Sequence, residues 1–111
     1  MIIRLVRIRL HPGMQAEYEE FLRTKAIPNL QTKDGLLGLF MGPRLGTQPT
    51  EQLIIVLLWR DLLALQAFTG PALDEAVILP GESHMVAEIE VENYENLDAD
   101  VLNYVRAVEA S

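Results

Sequence analysis

Leu53-Ile54-Ile55-Val56-Leu57-Leu58-Trp59 is the stretch whose reading decides the fold. A short apolar run that is partly β-branched and closed by an aromatic reads as a strand. Successive side chains of a strand point to opposite faces, so a strand wetted on one side alternates apolar with polar residues. This one does not alternate, and burial on both faces is expected. The run is far short of the ~20 apolar residues that a membrane-spanning helix needs.

Upstream, Gly42-Pro43-Arg44-Leu45-Gly46-Thr47-Gln48-Pro49 forms a loop back to a strand over 36–41, which Asp34-Gly35 introduces. Simple alternation puts Leu37, Leu39 and Met41 on one face of that strand and Leu36 and Phe40 on the other. Downstream, Asp61 is placed to cap a short helix over 62–68. Gly70-Pro71 breaks that helix, a further helical turn is expected over 72–77, and a last strand runs over 84–94. At the other end, residues 2–10 form the first strand, closed by His11-Pro12-Gly13. A helix follows from Met14, with Met14, Tyr18, Phe21 and Leu22 on one face. Pro28 is expected to bend or end it, with Leu30 still facing inward. Asp98 is placed to cap a final helix carrying Val101, Leu102, Val105 and Val108.

The order β-α-β-β-α-β, with right-handed crossovers, predicts an α+β ferredoxin-like fold: a four-stranded antiparallel sheet in the order 4-1-3-2, both helices on one face. The 111 residues fit one domain, with a core over 1–96 and a helical tail over 97–111. Half of the residues are hydrophobic (50%) and 23% are charged, a globular balance. There are no cysteines, which removes disulfides, thiolate chemistry and zinc fingers. No signal-peptide pattern opens the chain, and a cytoplasmic protein is expected. The net charge of −7 disfavours nucleic acid as a partner.

The charges are unevenly placed. Three of the nine basic residues lie in the first ten positions, while Glu82, Glu88, Glu90, Glu92, Glu95, Asp98 and Asp100 crowd the stretch 82–100. With strands one and four adjacent, Arg7 and Arg9 meet Glu88 and Glu90 on the helix-free face. Such cross-strand pairs contribute about 0.2–1 kcal/mol each. Met85, Ala87, Ile89 and Val91 then lie under the helices beside Val6, Ile8 and Leu10. Strands two and three leave an apolar patch on the helix-free face, and a second sheet is the economical cover. A homodimer through that face is expected.

The succession "RLHPG", "YEEFLRTKAIPNL", "DGLLGLFMG" and "LIIVLLWRDLLALQAFTG" resembles the antibiotic biosynthesis monooxygenase family over roughly residues 1–94. The resemblance implies a dimeric α+β barrel. It also implies cofactor-free oxygenation of activated phenols or quinols, or, in one branch, haem degradation. That branch uses a first-strand Asn, a second-helix Trp and a His in the following segment. Here Val6 and Phe68 fall at the first two places and no His lies between Gly70 and Ser83, which disfavours haem degradation.

As a ligand wall, Trp59, Phe40 and Phe68 could hold a flat molecule; each is also an ordinary core residue. Arg4 shares a face with Val6 and Ile8, where a charge needs a partner. It could hold a phenolate or carboxylate at a pocket mouth, or snorkel to solvent. His84 follows a loop and could act as a general base on a phenol; the alternative is an exposed histidine. Tyr94 and Tyr18 could donate hydrogen bonds. Two isolated histidines make no metal site. The reading is therefore a homodimer that binds a small apolar or aromatic molecule, without metal or cofactor. Its catalytic candidates are His84 and Arg4; its ligand-binding candidates are Trp59, Phe40, Phe68 and Tyr94. A non-enzymatic dimeric ligand-binding or structural module, or another barrel chemistry such as lactone isomerisation, stands beside it.

Overall fold

The computed structural model describes residues 1–47 and 50–97. Within them run β1 (Ile2–Leu10), α1 (Gln15–Phe21), a π-helical turn (Leu22–Ala26), α2 (Ile27–Gln31), β2 (Leu36–Pro43), β3 (Gln52–Trp59), α3 (Leu62–Thr69) and β4 (Val86–Glu95). The strands form one antiparallel sheet in the order β2-β3-β1-β4, the expected ferredoxin-like arrangement. The expected last helix over the tail lies outside the described residues.

β3 is central, and its alternate residues Leu53, Ile55, Leu57 and Trp59 are buried with Ile8 and Leu10 of β1. Tyr18, Phe21, Leu22, Ala26 and Leu30 cover them from one side, with Ala64 and Leu65 of α3. Leu22, Ala26 and Leu30 are spaced by four, so one stripe of the helical segment faces the sheet. The other parity of β3 is only half covered, and Ile54 is 39% exposed. Among the described residues no helix is long and apolar enough to cross a membrane.

Pro28 does not end the helix. The Ile27 N–H reaches back five residues to the Leu22 carbonyl. The widened turn falls just before the residue that has no N–H to give, and the chain continues helically to Gln31. No side chain of its own caps α1; the Glu51 carboxylate, arriving before β3, accepts from Gly13 N (3.2 Å) and Gln15 N (2.8 Å). Asp61 caps α3 as expected, accepting from Ala64 N at 2.8 Å. Gly35 has φ +83°, and a Cβ there would sit 2.5 Å from Ala64 Cβ, so the entry to β2 nests on the start of α3.

Two bulges change which side chains share a face. One between Leu36 and Gly38 turns Leu36 onto the core with Leu39 and Met41, and leaves Leu37 59% exposed, the reverse of simple alternation. The other lies opposite Arg9 and Leu10; it sets Val86 against Leu10, so Val86 packs on the core where alternation expected Ala87. The fourth strand starts at Val86, not at His84. Over 72–77 the chain makes a single turn, Glu75 N–H to the Ala72 carbonyl at 3.3 Å, and no helix. The carbonyls of Leu73 and Glu75, which a helix would use internally, accept from Arg4.

Candidate functional site

A partly open cavity of about 60 Å³ lies between sheet and helices. Val6, Ile8, Ile55, Leu57 and Ile89 form its sheet wall, Leu22, Ala26 and Leu30 its helical wall, and Phe68 with Ala76, Val77 and Leu79 the remainder. Two ionisable side chains complete it, Arg4 and Glu82, only 1% and 6% exposed.

Arg4 points to the helix face because strand parity leaves it no alternative, and its solvation is replaced by protein oxygens. Its guanidinium donates to Leu73 O (2.7 Å), Glu75 O (2.8 Å) and Asn93 Oδ1 (3.1 Å). Asn93, opposite it on β4, donates in turn to Leu73 O at 2.9 Å. Burial pulls this guanidinium below its ordinary pKa, and the charge of Asp74 opposes that shift. Among the described residues no carboxylate bonds it directly, and the guanidinium is held by amide dipoles.

Glu82 arrives from the loop before β4. One oxygen accepts from Tyr18 O–H at 2.7 Å and the other from Leu79 N at 3.0 Å. Burial, and then the bond to and charge of Glu82, push the Tyr18 hydroxyl well above its ordinary pKa. The site thus joins a buried cation and a buried carboxylate on the walls of one apolar space. Such a pairing can polarise or deprotonate a small hydroxylated guest.

The residues singled out in the sequence are divided by the fold. Arg4 and Phe68 line the cavity. Trp59 is fully buried behind Phe68, the rings stacked at 5.0 Å, and its Nε1–H has no partner among the described residues. His84 lies on the surface with its Nε2 3.4 Å from Glu17 Oε1, away from the cavity wall. Phe40 and Tyr94 project on the helix-free face, 62% and 51% exposed. No sequence pattern marks Glu82 or Asn93 as part of a site. Glu82 stood within an acidic run that reads as a solvated strand face, and no local pattern marks a carboxylate that folds inward.

A wider hollow of about 490 Å³ lies on the helix-free face, lined by Arg7, Arg9, Arg44, Gln52, Glu88 and Glu90. Its charges are largely satisfied. Arg9 pairs with Glu88 at 3.0 Å, Arg7 reaches diagonally to Glu92, and Arg44 donates to Gln52. Size therefore favours this hollow, but the unusual chemistry belongs to the smaller one. Among the described residues no group of His, Asp or Glu is placed to hold a metal ion.

No protein-family model matches the chain, and no curated protein does. Solved structures match it over nearly its whole length. A Deinococcus radiodurans protein described as a candidate antibiotic biosynthesis monooxygenase superposes with TM-score 0.68 at 19% identity, covering 89% of this chain and 95% of that one. HapK from Hahella chejuensis gives TM-score 0.64 at 18% identity, covering 89% and 95%. A point mutant of MhuD with two manganese protoporphyrin IX bound per active site gives 0.60 at 19%, covering 88% and 96%. A neighbour with manganese protoporphyrin IX bound stands in this set, so the likeness to solved structures does not bear out the expectation against haem degradation. The chain has the α+β fold of the antibiotic biosynthesis monooxygenase-like structures.

Proposed function

We propose that the chain is a cofactor-independent oxygenase of a small electron-rich phenol or quinol, acting in the cavity beneath the helices. The observation that carries this reading is the presence of Arg4 and Glu82 in the lining of one otherwise apolar cavity. Without a cofactor, the substrate itself must supply the electrons. A ring CH2 activated by a neighbouring phenol becomes C=O, one atom of O2 entering the product and the other leaving as water. Glu82 takes the first proton, and Arg4 holds the oxygen on which the negative charge settles. The apolar walls dissolve O2 and keep bulk water out. His84 is exposed and is not given the role of base.

The cavity of about 60 Å³ is smaller than the ~150 Å³ that accepts a benzene ring. Entry therefore requires the wall formed by Ala76, Val77 and Leu79 to move. Gly70 and Gly81, both at positive φ, flank that segment. The same reading includes a homodimer in which two helix-free sheet faces meet.

One observation favours the non-enzymatic alternative: Arg4 and Glu82 are engaged by internal partners. Oxygen uptake with a panel of hydroquinones and anthrone-like phenols separates the two. Uptake is expected from the native chain, reduced about 10²-fold or more in Glu82→Gln, strongly reduced in Arg4→Met and unchanged in His84→Ala. No uptake with any compound would remove the oxygenase reading, and a ligand-induced rise in melting temperature would then support the binding module.

A further inference from the structure

Residues 71–80 close one side of the cavity through Ala76, Val77 and Leu79, yet none of the ten is buried. Pro71 and Pro80 bound the segment and have no N–H to give. Within it the main chain makes one bond, from Glu75 N to Ala72 O. Among the described residues no main-chain bond ties it to a strand or a helix.

Side chains do the fastening. Arg4 donates to Leu73 O and Glu75 O, and Asn93 donates to Leu73 O. Glu82 holds Leu79 twice: its carboxylate accepts from Leu79 N, and its own N–H donates to Leu79 O at 3.2 Å. Each of these residues is fixed from behind. Arg4 and Asn93 stand opposite one another on β1 and β4, and Glu82 is bonded to Tyr18. A shallowly seated segment with so few ties opens locally while the rest of the fold stays closed. Gly70 and Gly81, at φ +76° and +88°, stand at its two ends as hinges.

Arg4 and Glu82 thus draw partners from the cover that shuts them in. Lifting it leaves both in want of partners, and an unpaired buried polar group is costly. We infer that residues 71–80 are a latched cover, fastened by Arg4, Asn93 and Glu82, which a guest opens by exchanging its own polar groups for the main-chain groups of Leu73, Glu75 and Leu79. The guest therefore carries an acceptor oxygen for Arg4 and a hydroxyl donor for Glu82 on one small ring. A bare hydrocarbon of the same size leaves both side chains unpaired. The inference rests on the cavity being the binding site, as the oxygenase reading has it, and requires no turnover.

The absence of cysteine gives a direct readout of opening. Ala26 and Leu10 are both buried, but only Ala26 lines the cavity. In the full chain the thiol of Ala26→Cys reports opening of the cover, and that of Leu10→Cys reports unfolding of the core. Adding Asn93→Ala is expected to speed alkylation of the first about 5-fold or more, as for one lost hydrogen bond, and to leave the second unchanged. Leu57→Cys, on the sheet wall of the same cavity, repeats the measurement. An unchanged rate at the cavity, or equal acceleration of cavity and core thiols, overturns the inference. In a second arm benzene, phenol and hydroquinone are titrated calorimetrically into the native chain under argon. Affinity is expected to rise in that order, hydroquinone exceeding benzene by about 10-fold or more. A dry apolar cavity accepts benzene readily; benzene binding tightest, or none of the three binding, overturns the inference. Oxygen uptake without these thiol rates sinks the latch alone, and these rates and affinities without oxygen uptake sink the oxygenase reading alone.

Discussion

Arg4, Tyr18 and Glu82 carry most of the polar chemistry inside this small fold, and each is buried for a different reason. Arg4 follows strand parity, Tyr18 follows the helical stripe, and Glu82 is drawn in by the Tyr18 hydroxyl and the Leu79 N–H. Leaving any of them unpaired would cost about 1–3 kcal/mol or more. Tyr18 makes the pH dependence definite. Its protonated form is the one the fold favours, because burial and Glu82 both raise its pKa. That contribution is complete below the ordinary tyrosine value of 10.0 and declines as pH rises above it, where only the unfolded chain gives up the proton. Melting temperature is therefore expected to fall on crossing that pH, and to fall less in Tyr18→Phe; identical slopes for the two proteins would refute the assignment. The alternation around Arg4 is legible in the sequence, and it is compatible with either a buried or a solvent-directed guanidinium. Glu82 was not legible, because its partner Tyr18 lies 64 residues away.

At the scale of elements, the two well-defined caps come from different places. Asp61 caps α3 from the adjacent position, a local arrangement that sequence patterns register. Its bond to Ala64 N is the first cause that holds its carboxyl below the ordinary carboxylate range. Glu51 caps α1 from 36 positions further along the chain, and nothing near α1 announces it. Glu51→Ala is expected to lower stability by about 1 kcal/mol, the usual loss on deleting a cap. Urea melts would show this as a lower midpoint with an unchanged slope, and an unmoved midpoint would mean that water replaces the carboxylate. The bulges make the same point for strands. The apolar residues of β2 and β4 are legible in the sequence, but one inserted residue in each changes which neighbour packs on the core: Leu36 in place of Leu37, and Val86 in place of Ala87. Strand composition does not encode a bulge that the partner strand imposes.

For the whole molecule, the helix-free face sets the expected assembly. Its rows run from Arg44, Gln52, Arg9 and Glu88 at one end to Leu58, Ile3 and Tyr94 at the other. Phe40 stands out from β2 between Gly38 and Gly42, neither of which has a side chain to shield it, and is 62% exposed. An apolar knob of this kind is best accounted for by a facing sheet. Light scattering after size exclusion is expected to report a dimer for the native chain and a monomer for Phe40→Glu. A native monomer at micromolar concentration would end the dimer proposal, leaving the fold untouched. From the sequence by itself came the strand order, the Arg–Glu seam between β1 and β4 and the expectation of a site beneath the helices. All of these follow from periodicity and charge that neighbouring residues carry. Tertiary structure decided the inward turn of Glu82, the clasp of Arg4 on the segment after α3, the two bulges and the small size of the cavity. These depend on groups brought together from distant positions, and packing alone selects among arrangements that local patterns leave equivalent.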